Sequence, residues 1–366
     1  MPASDAPLSV VNRYLAGRFL ALFVPILASL VLLYLLIDLV DRLGGFLRDE
    51  ASLGAAVRYF LFKLPLMVTQ ITPPAVTIAV LLAFGGLGRR NEIIALRAGG
   101  VSLLQTGVPI LALAGAISVA TLIWNETVVP YCSRNFRYVS NVEIRKRAVR
   151  GMLSERAIWY HGAGGFYNID YVDRAQQAVY GFTMYRFDDE FRLRSVVNMS
   201  HLQWRDGHWE VTHAVEHQLG GDGGTFNTAT VPPESVLIPE TLDDFLEVQR
   251  EPEELSFIEL RERIQSLAGK GIDASHYLVD LYVKLALPFS SMVLALIAVP
   301  IGGRLRRHPS IAAIIGLGAT VGFCYWVLLG LSMSLGESGV IPPLMAAWAA
   351  NAIYALLGIV LFLWSD

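Results

Sequence analysis

Arg89-Arg90-Asn91-Glu92-Ile93-Ile94-Ala95-Leu96-Arg97-Ala98-Gly99-Gly100 is a charged, helix-prone island between two long apolar segments. Its pattern predicts a helix of about two turns with Asn91 as N-cap. Glu92 then falls in the first turn, where the helix dipole favours a carboxylate, and Gly99 and Gly100 supply the stop. A helix this short is unstable alone in water, so the rest of the chain must hold it. Two readings follow: an ordinary loop between membrane helices, or a docking helix for a soluble partner.

Working outward, apolar runs long enough to cross about 30 Å of hydrocarbon occur near both ends of the 366-residue chain, which is 54% hydrophobic. Phe19–Val40, Tyr59–Leu87, Ser102–Val128, Tyr277–Ile301, Ile311–Leu335 and Pro342–Leu363 read as six spanning helices. The first run is too long for a signal-peptide core, and no small-residue cleavage site follows it, so it is an anchor. Pro65, Pro73 and Pro74 in the second run predict a kinked helix that faces protein or a cavity. Gly107, Gly115 and Ser118 in the third give small surfaces for close packing. A net charge of -3 gives no hint of nucleic-acid binding. Cys132 and Cys324 fall in or near separate spans and suggest neither a disulfide framework nor a metal site.

Basic residues in short loops orient the chain. One side receives Arg13 and Arg18, then Arg89, Arg90 and Arg97, then Arg304, Arg306 and Arg307 with His308. The other receives the mixed loop Asp41–Arg58 and the loop around Glu337, which has no basic residue. Both termini are expected to be cytoplasmic, and the polar middle of the chain to lie outside, in a bacterium the periplasm.

That middle stretch, roughly 140 residues, is long enough for its own domain. Ala157–Tyr160, Phe166–Val172, Ala178–Phe187, Phe191–Val197, His201–Arg205 and Trp209–Leu219 are short runs rich in β-branched and aromatic residues, separated by Gly- and Asp-rich breaks. Asp206-Gly207 between Trp204 and Trp209 is a hairpin signal. Regular short strands argue for a β-sandwich or jelly roll. Ser256-Phe257-Ile258-Glu259 is a capping-box pattern that opens a helix back toward the bilayer. The expected division is a first membrane half over 1–140, a β-domain over 141–255, and a connecting helix with three spans over 256–366.

Catalytic signals are thin. There is no phosphate-binding Gly-Lys loop. His213-Ala214-Val215-Glu216-His217 has the inverted zinc-protease order, but that chemistry needs a helix. The surroundings alternate with strand period, so the histidines read as structural. Arg134 and Arg137, three residues apart beyond the third span, share a helical face. They serve either as an interfacial pair within an aromatic belt or as a fork for an anionic lipid headgroup.

The order of parts is three helices, a polar β-domain, three helices, and a charged cytoplasmic helix after the second span. Together with Val129-Pro130, Arg134-Asn135-Phe136-Arg137 and Gly339-Val340-Ile341-Pro342-Pro343, it resembles the LptF/LptG family of lipopolysaccharide-export permeases. The resemblance covers essentially the whole chain. Asn12-Arg13-Tyr14 and the Gly-x-Ile-Pro-Pro segment are more like LptG than LptF.

The resemblance implies a non-catalytic permease subunit in the bacterial inner membrane, paired with an LptF-like (or LptG-like) subunit. It also implies an LptB-like ATPase dimer, which binds the ATP and Mg, and LptC-like and LptA-like periplasmic proteins. No cofactor is implied for this chain. The β-domain would be the jelly roll that passes lipopolysaccharide to the periplasmic bridge. Glu92 would lie in the coupling helix, about residues 91–100, with Arg89, Arg90 and Arg97 beside it, and Arg134 and Arg137 would flank the lipid cavity. Some relatives carry lysines near the outer end of the first helix. This chain has Leu35, Asp38 and Asp41 there, with Arg42 basic. Asp38 and Arg42 are the candidate headgroup contacts there; alternatively the aspartates act through divalent cations or face the partner subunit. The rival readings are a lipoprotein-release permease, which usually has four spans, an envelope scaffold, and a membrane hydrolase.

Overall fold

The computed structural model describes residues 6–144, 158–162, 165–173, 176–188, 192–205, 207–219, 226–232, 238–242, 245, 252–269, 274–305 and 310–364. The chain divides into two compact units, Met1–Ser140 with Pro252–Asp366, and Asn141–Glu251.

The first unit is helical: α1 (Ala6–Arg48), α2 (Leu53–Arg89), α3 (Glu92–Ala98), α4 (Leu103–Tyr138), α5 (Phe257–Gly269), α6 (Ser275–Gly303), α7 (Ile311–Glu337) and α8 (Pro343–Leu363). Six of these, all but α3 and α5, are long and apolar enough to cross a membrane. The protein is an integral membrane protein. The apolar windows underestimate the helices, because hydropathy marks hydrocarbon thickness and not helix length. At 43 residues, α1 is about 65 Å long. Most of the expected loop Asp41–Arg58 is therefore helix. The turn between α1 and α2 is reduced to a few residues: Glu50 has φ 49°, and the Ser52 side chain caps α2 by accepting from Ala55 N at 3.2 Å.

Helix α6 packs against α8, α2 and α4. Small residues set these approaches: a Cβ on Gly107 of α4 would come within 2.9 Å of Val299 Cγ1. Helix α2 continues through Pro65, Pro73 and Pro74, with nearby side chains donating into the carbonyls around them. Thr77 Oγ1 donates to Pro73 O at 2.9 Å, and Trp124 Nε1 of α4 to Pro65 O at 3.2 Å. Deep among α6, α7 and α8, the Tyr325 hydroxyl donates to Asn351 Oδ1 at 2.9 Å, and Asn351 Nδ2 to Ala286 O at 2.7 Å. Such bonds join helices where apolar burial alone gives little drive.

The second unit is one antiparallel sheet among the described residues: β1 (Ile158–Gly162), β2 (Gly165–Asp173), β3 (Ala178–Phe187), β4 (Leu193–Arg205), β5 (His208–Val211), β6 (Ala214–Leu219) and β7 (Phe226–Val231). The order is β1-β2-β3-β4-β6-β7, with β5 on β4. Phe182, Met184, Tyr167, Val197 and Met199 are buried on it. The Phe245 ring lies 5.7 Å from Phe182 and 5.5 Å from Trp209.

Two expected strands, Phe191–Val197 and His201–Arg205, are one strand, β4, and the expected run Trp209–Leu219 is interrupted. Both effects have one cause. Met199 and Leu202 on β4 are both buried although their positions differ in parity, as are Val211 and Ala214 opposite them. The hairpin keeps its register but rotates at His201 and Thr212, where Thr212 N donates to His201 O at 3.2 Å.

Candidate functional site

At one end of the bundle, α3 is held from three directions. Ile93 is buried in the cluster that contains Leu15 and Phe19 of α1, Phe84 and Leu87 of α2, Leu103 of α4 and Ile314 of α7. The Tyr14 hydroxyl of α1 donates to Glu92 Oε2 at 3.1 Å, and in turn accepts from Arg18 Nη1 at 2.9 Å. The helix ends in a Schellman motif: Val101 N donates to Leu96 O and Gly100 N to Arg97 O, each at 3.0 Å, with Gly100 at φ 83°.

The start of α3 differs from the sequence expectation. Asn91 occupies the N-cap position but sits at φ 56°, ψ 17°, and its side chain makes no capping bond. Asparagine is instead there for its tolerance of left-handed backbone, which turns the chain from α2 into α3. Arg89, Arg90 and Arg97 are exposed, and Arg90 Nη1 lies 3.9 Å from Glu92 Oε1. Ile94 is 50% exposed on the same helix. The surface of α3 thus combines cations with an accessible apolar side chain, a composition suited to a protein partner. Arg304 Nη2 donates to Leu361 O at 3.3 Å; Arg306, Arg307 and His308 lie outside the described residues.

At the opposite end of α1, Asp38 is not a solitary carboxylate near headgroup water. Lys63 Nζ of α2 donates to both its oxygens at 2.7 Å, and Arg42 Nε to Oδ1 at 3.3 Å. The Lys63 and Asp38 side chains are only 11% and 10% exposed. Lys63 also lies 5.8 Å from the ring centres of Tyr59 and Phe136. The sequence reading names Arg42 on the first helix and does not place Lys63 here, which the fold supplies from the neighbouring helix. An ionisable residue inside a spanning run was the available signal.

Arg134 and Arg137 are brought together on α4, each against a carboxylate of the same chain. Arg134 Nη2 meets Glu259 at 2.6 and 2.5 Å, and its Nε donates to Glu254 O at 2.8 Å. Arg137 Nε pairs with Glu254 Oε1. Glu126 completes the set by accepting from Phe257 N at 2.8 and 3.0 Å. The end of α4 therefore clamps the 3-10 turn Pro252–Glu254 and the start of α5. The capping box is formed: Ser256 N donates to Glu259 Oε2 at 2.8 Å, and Glu259 N to Ser256 Oγ at 3.2 Å.

Burial tends to raise the Glu259 pKa, but hydrogen bonds from the Ser256 backbone and from Arg134 outweigh it and hold the carboxyl below its usual range. A depressed folded-state pKa stabilises above the unfolded value and is lost as pH falls through the folded one. Amide protection factors in α5 are expected to be constant from about pH 8 to about pH 5, and to fall only below the ordinary glutamate range near pH 4. Loss of protection already at pH 6 would show that Glu259 does not hold the clamp.

The His213–His217 stretch gathers no ligand set. His213 is exposed at the hairpin's rotation, whereas His217 Nδ1 lies 3.0 Å from Thr228 Oγ1. Glu216 has its pKa lowered by a side-chain hydrogen bond with Ser195, which outweighs burial. Among the described residues no group of three His, Cys, Asp or Glu could hold a metal ion.

Residues 13–364 match the family described as lipopolysaccharide export system permease LptF/LptG. The lipopolysaccharide export system permease protein LptG of Escherichia coli is 25% identical over 361 residues, covering 96% of this chain and 98% of the relative. LptG of Haemophilus influenzae is 23% identical over 375 residues, covering 98% of each chain. An uncharacterised protein of Aquifex aeolicus is 28% identical over 151 residues, 41% of each.

Proposed function

Since the chain belongs to the LptF/LptG family of lipopolysaccharide export permeases, we propose that it is the LptG-like transmembrane subunit of an ABC transporter in the bacterial inner membrane. The transporter extracts lipopolysaccharide and passes it to a periplasmic bridge. This subunit carries no catalysis. A separate LptB-like ATPase dimer binds and hydrolyses ATP, and an LptF-like subunit completes the cavity. LptC-like and LptA-like proteins take the lipid onward from the β-domain. Both termini and α3 lie on the cytoplasmic side.

The anchoring of α3 supports this reading best. A two-turn helix fixed at both ends, plugged into the bundle by Ile93 and tied to α1 by Tyr14, passes a push on its exposed face to α1, α2 and α4. Transmission requires that the ATPase bind two conformations of the permease with different affinity.

Glu92→Lys is the test. It removes a charge-assisted bond to Tyr14, worth about 1.5–3 kcal/mol, and sets a cation beside Arg90. Lipid release per ATP is expected to fall at least about tenfold, with membrane insertion unchanged because no packed apolar area is lost. A correctly inserted Glu92→Lys complex that releases lipid at the normal rate would remove Glu92 from the coupling path.

A further inference from the structure

Close to α3 lies a cavity of about 350 Å³ among α1, α2 and α7. Its lining includes Arg18 and Arg89 together with Leu22, Leu82, Ile311 and Ile314. Two guanidinium groups among apolar side chains match one kind of ligand, an amphiphile with an anionic head.

Arg18 is set up for such a ligand. Among the described residues its guanidinium makes one hydrogen bond, from Nη1 to the Tyr14 hydroxyl at 2.9 Å. A guanidinium has five donors, so most of them remain available to a ligand. Its Nη2 lies over Gly86, where a Cβ would come within 2.5 Å of it. The missing side chain at Gly86 is what lets the guanidinium lie against α2 in the lining of the cavity. Arginine's planar fork suits phosphate oxygens, and basic pockets between membrane helices hold acidic lipid headgroups.

We propose that this cavity binds an anionic phospholipid of the leaflet at the α3 end, its phosphate on Arg18 and Arg89 and an acyl chain along Leu22, Leu82 and Ile311. This lipid is distinct from transported cargo. It touches Arg18, which bonds Tyr14, which bonds Glu92, so its presence orders the contact between α1 and α3. A free phosphate shares the headgroup chemistry, but it leaves the apolar walls uncovered.

The test is native mass spectrometry of the full chain, purified in mild detergent and titrated with phosphatidylglycerol, phosphatidylcholine or inorganic phosphate. The expected result is one retained phosphatidylglycerol per chain, with weaker retention of phosphatidylcholine and no displacement by millimolar phosphate. Arg18→Gln should lower phosphatidylglycerol retention about tenfold, and Arg18→Lys should restore part of it. Leu22→Trp, which fills the wall and leaves both arginines, should also lower retention. Equal retention of both lipids, displacement by inorganic phosphate, or wild-type retention by Arg18→Gln and Leu22→Trp would each overturn the proposal. So would loss of the lipid when the chain is purified within its native assembly, since a partner helix would then fill the cavity.

Discussion

Asp38→Ala is expected to destabilise the helical unit by about 3–5 kcal/mol, the cost of leaving a buried cation without its counter-charge. Lys63 gives both its short contacts to Asp38 and is nearly enclosed by α1, α2 and the rings of Tyr59 and Phe136. With Asp38 gone, the ammonium is left without its counter-charge and draws water into the helix pair. Removing both charges should be far milder. Asp38→Ala with Lys63→Met is expected to recover most of the loss, because an apolar chain then fills the same space. Unfolding of the purified chain in mixed micelles of rising SDS content measures this. A single-variant loss under about 1 kcal/mol is what an exposed, solvent-screened pair would give, and it would refute the buried-pair account.

The Arg134→Ala/Arg137→Ala double variant is expected to lower bound lipid per assembled complex by tens-fold or more. Each arginine can give a charge-assisted contact on the order of 1.5–3 kcal/mol to a phosphorylated glycolipid. Both arginines are engaged with Glu259 and Glu254, so cargo phosphate must compete with carboxylates for the same forks. That yields a discriminating control. Glu254→Gln with Glu259→Gln keeps the side-chain shapes and removes the competing charges. If the arginines receive cargo, this variant loads lipid at least as well as wild type. If they only clamp the turn before α5, both double variants loosen α5 equally and lipid occupancy stays at the wild-type level. That second outcome would take Arg134 and Arg137 out of the lipid site.

Much of the architecture was legible from hydropathy and period. The six spans, the strand-rich middle and the capping box at Ser256–Glu259 each rest on local patterns, and local patterns are what a linear reading detects. The site details were less accessible because they depend on partners distant in the chain. Nothing near Asp38 announces Lys63, twenty-five positions on, and nothing near Arg134 announces Glu259. Asn91 was found at the right place for the wrong reason, since capping and left-handed backbone both favour asparagine. The rotation at His201 and Thr212 escaped because it keeps register and alters only which face each residue takes.

The way the helical unit is assembled from two stretches of chain has a consequence for its biogenesis. Helix α6, against which α2, α4 and α8 pack, begins at Ser275, whereas α4 ends at Tyr138. At about 5–20 residues per second, a ribosome needs on the order of ten seconds or more to cross the intervening chain. During that interval α1, α2 and α4 are in the bilayer without the helix that covers Phe84 and Gly107. The nascent protein therefore passes through a half-built state that membrane insertases can shelter and membrane proteases can recognise. Its yield should respond to translation rate between Tyr138 and Ser275 more than to codon changes elsewhere.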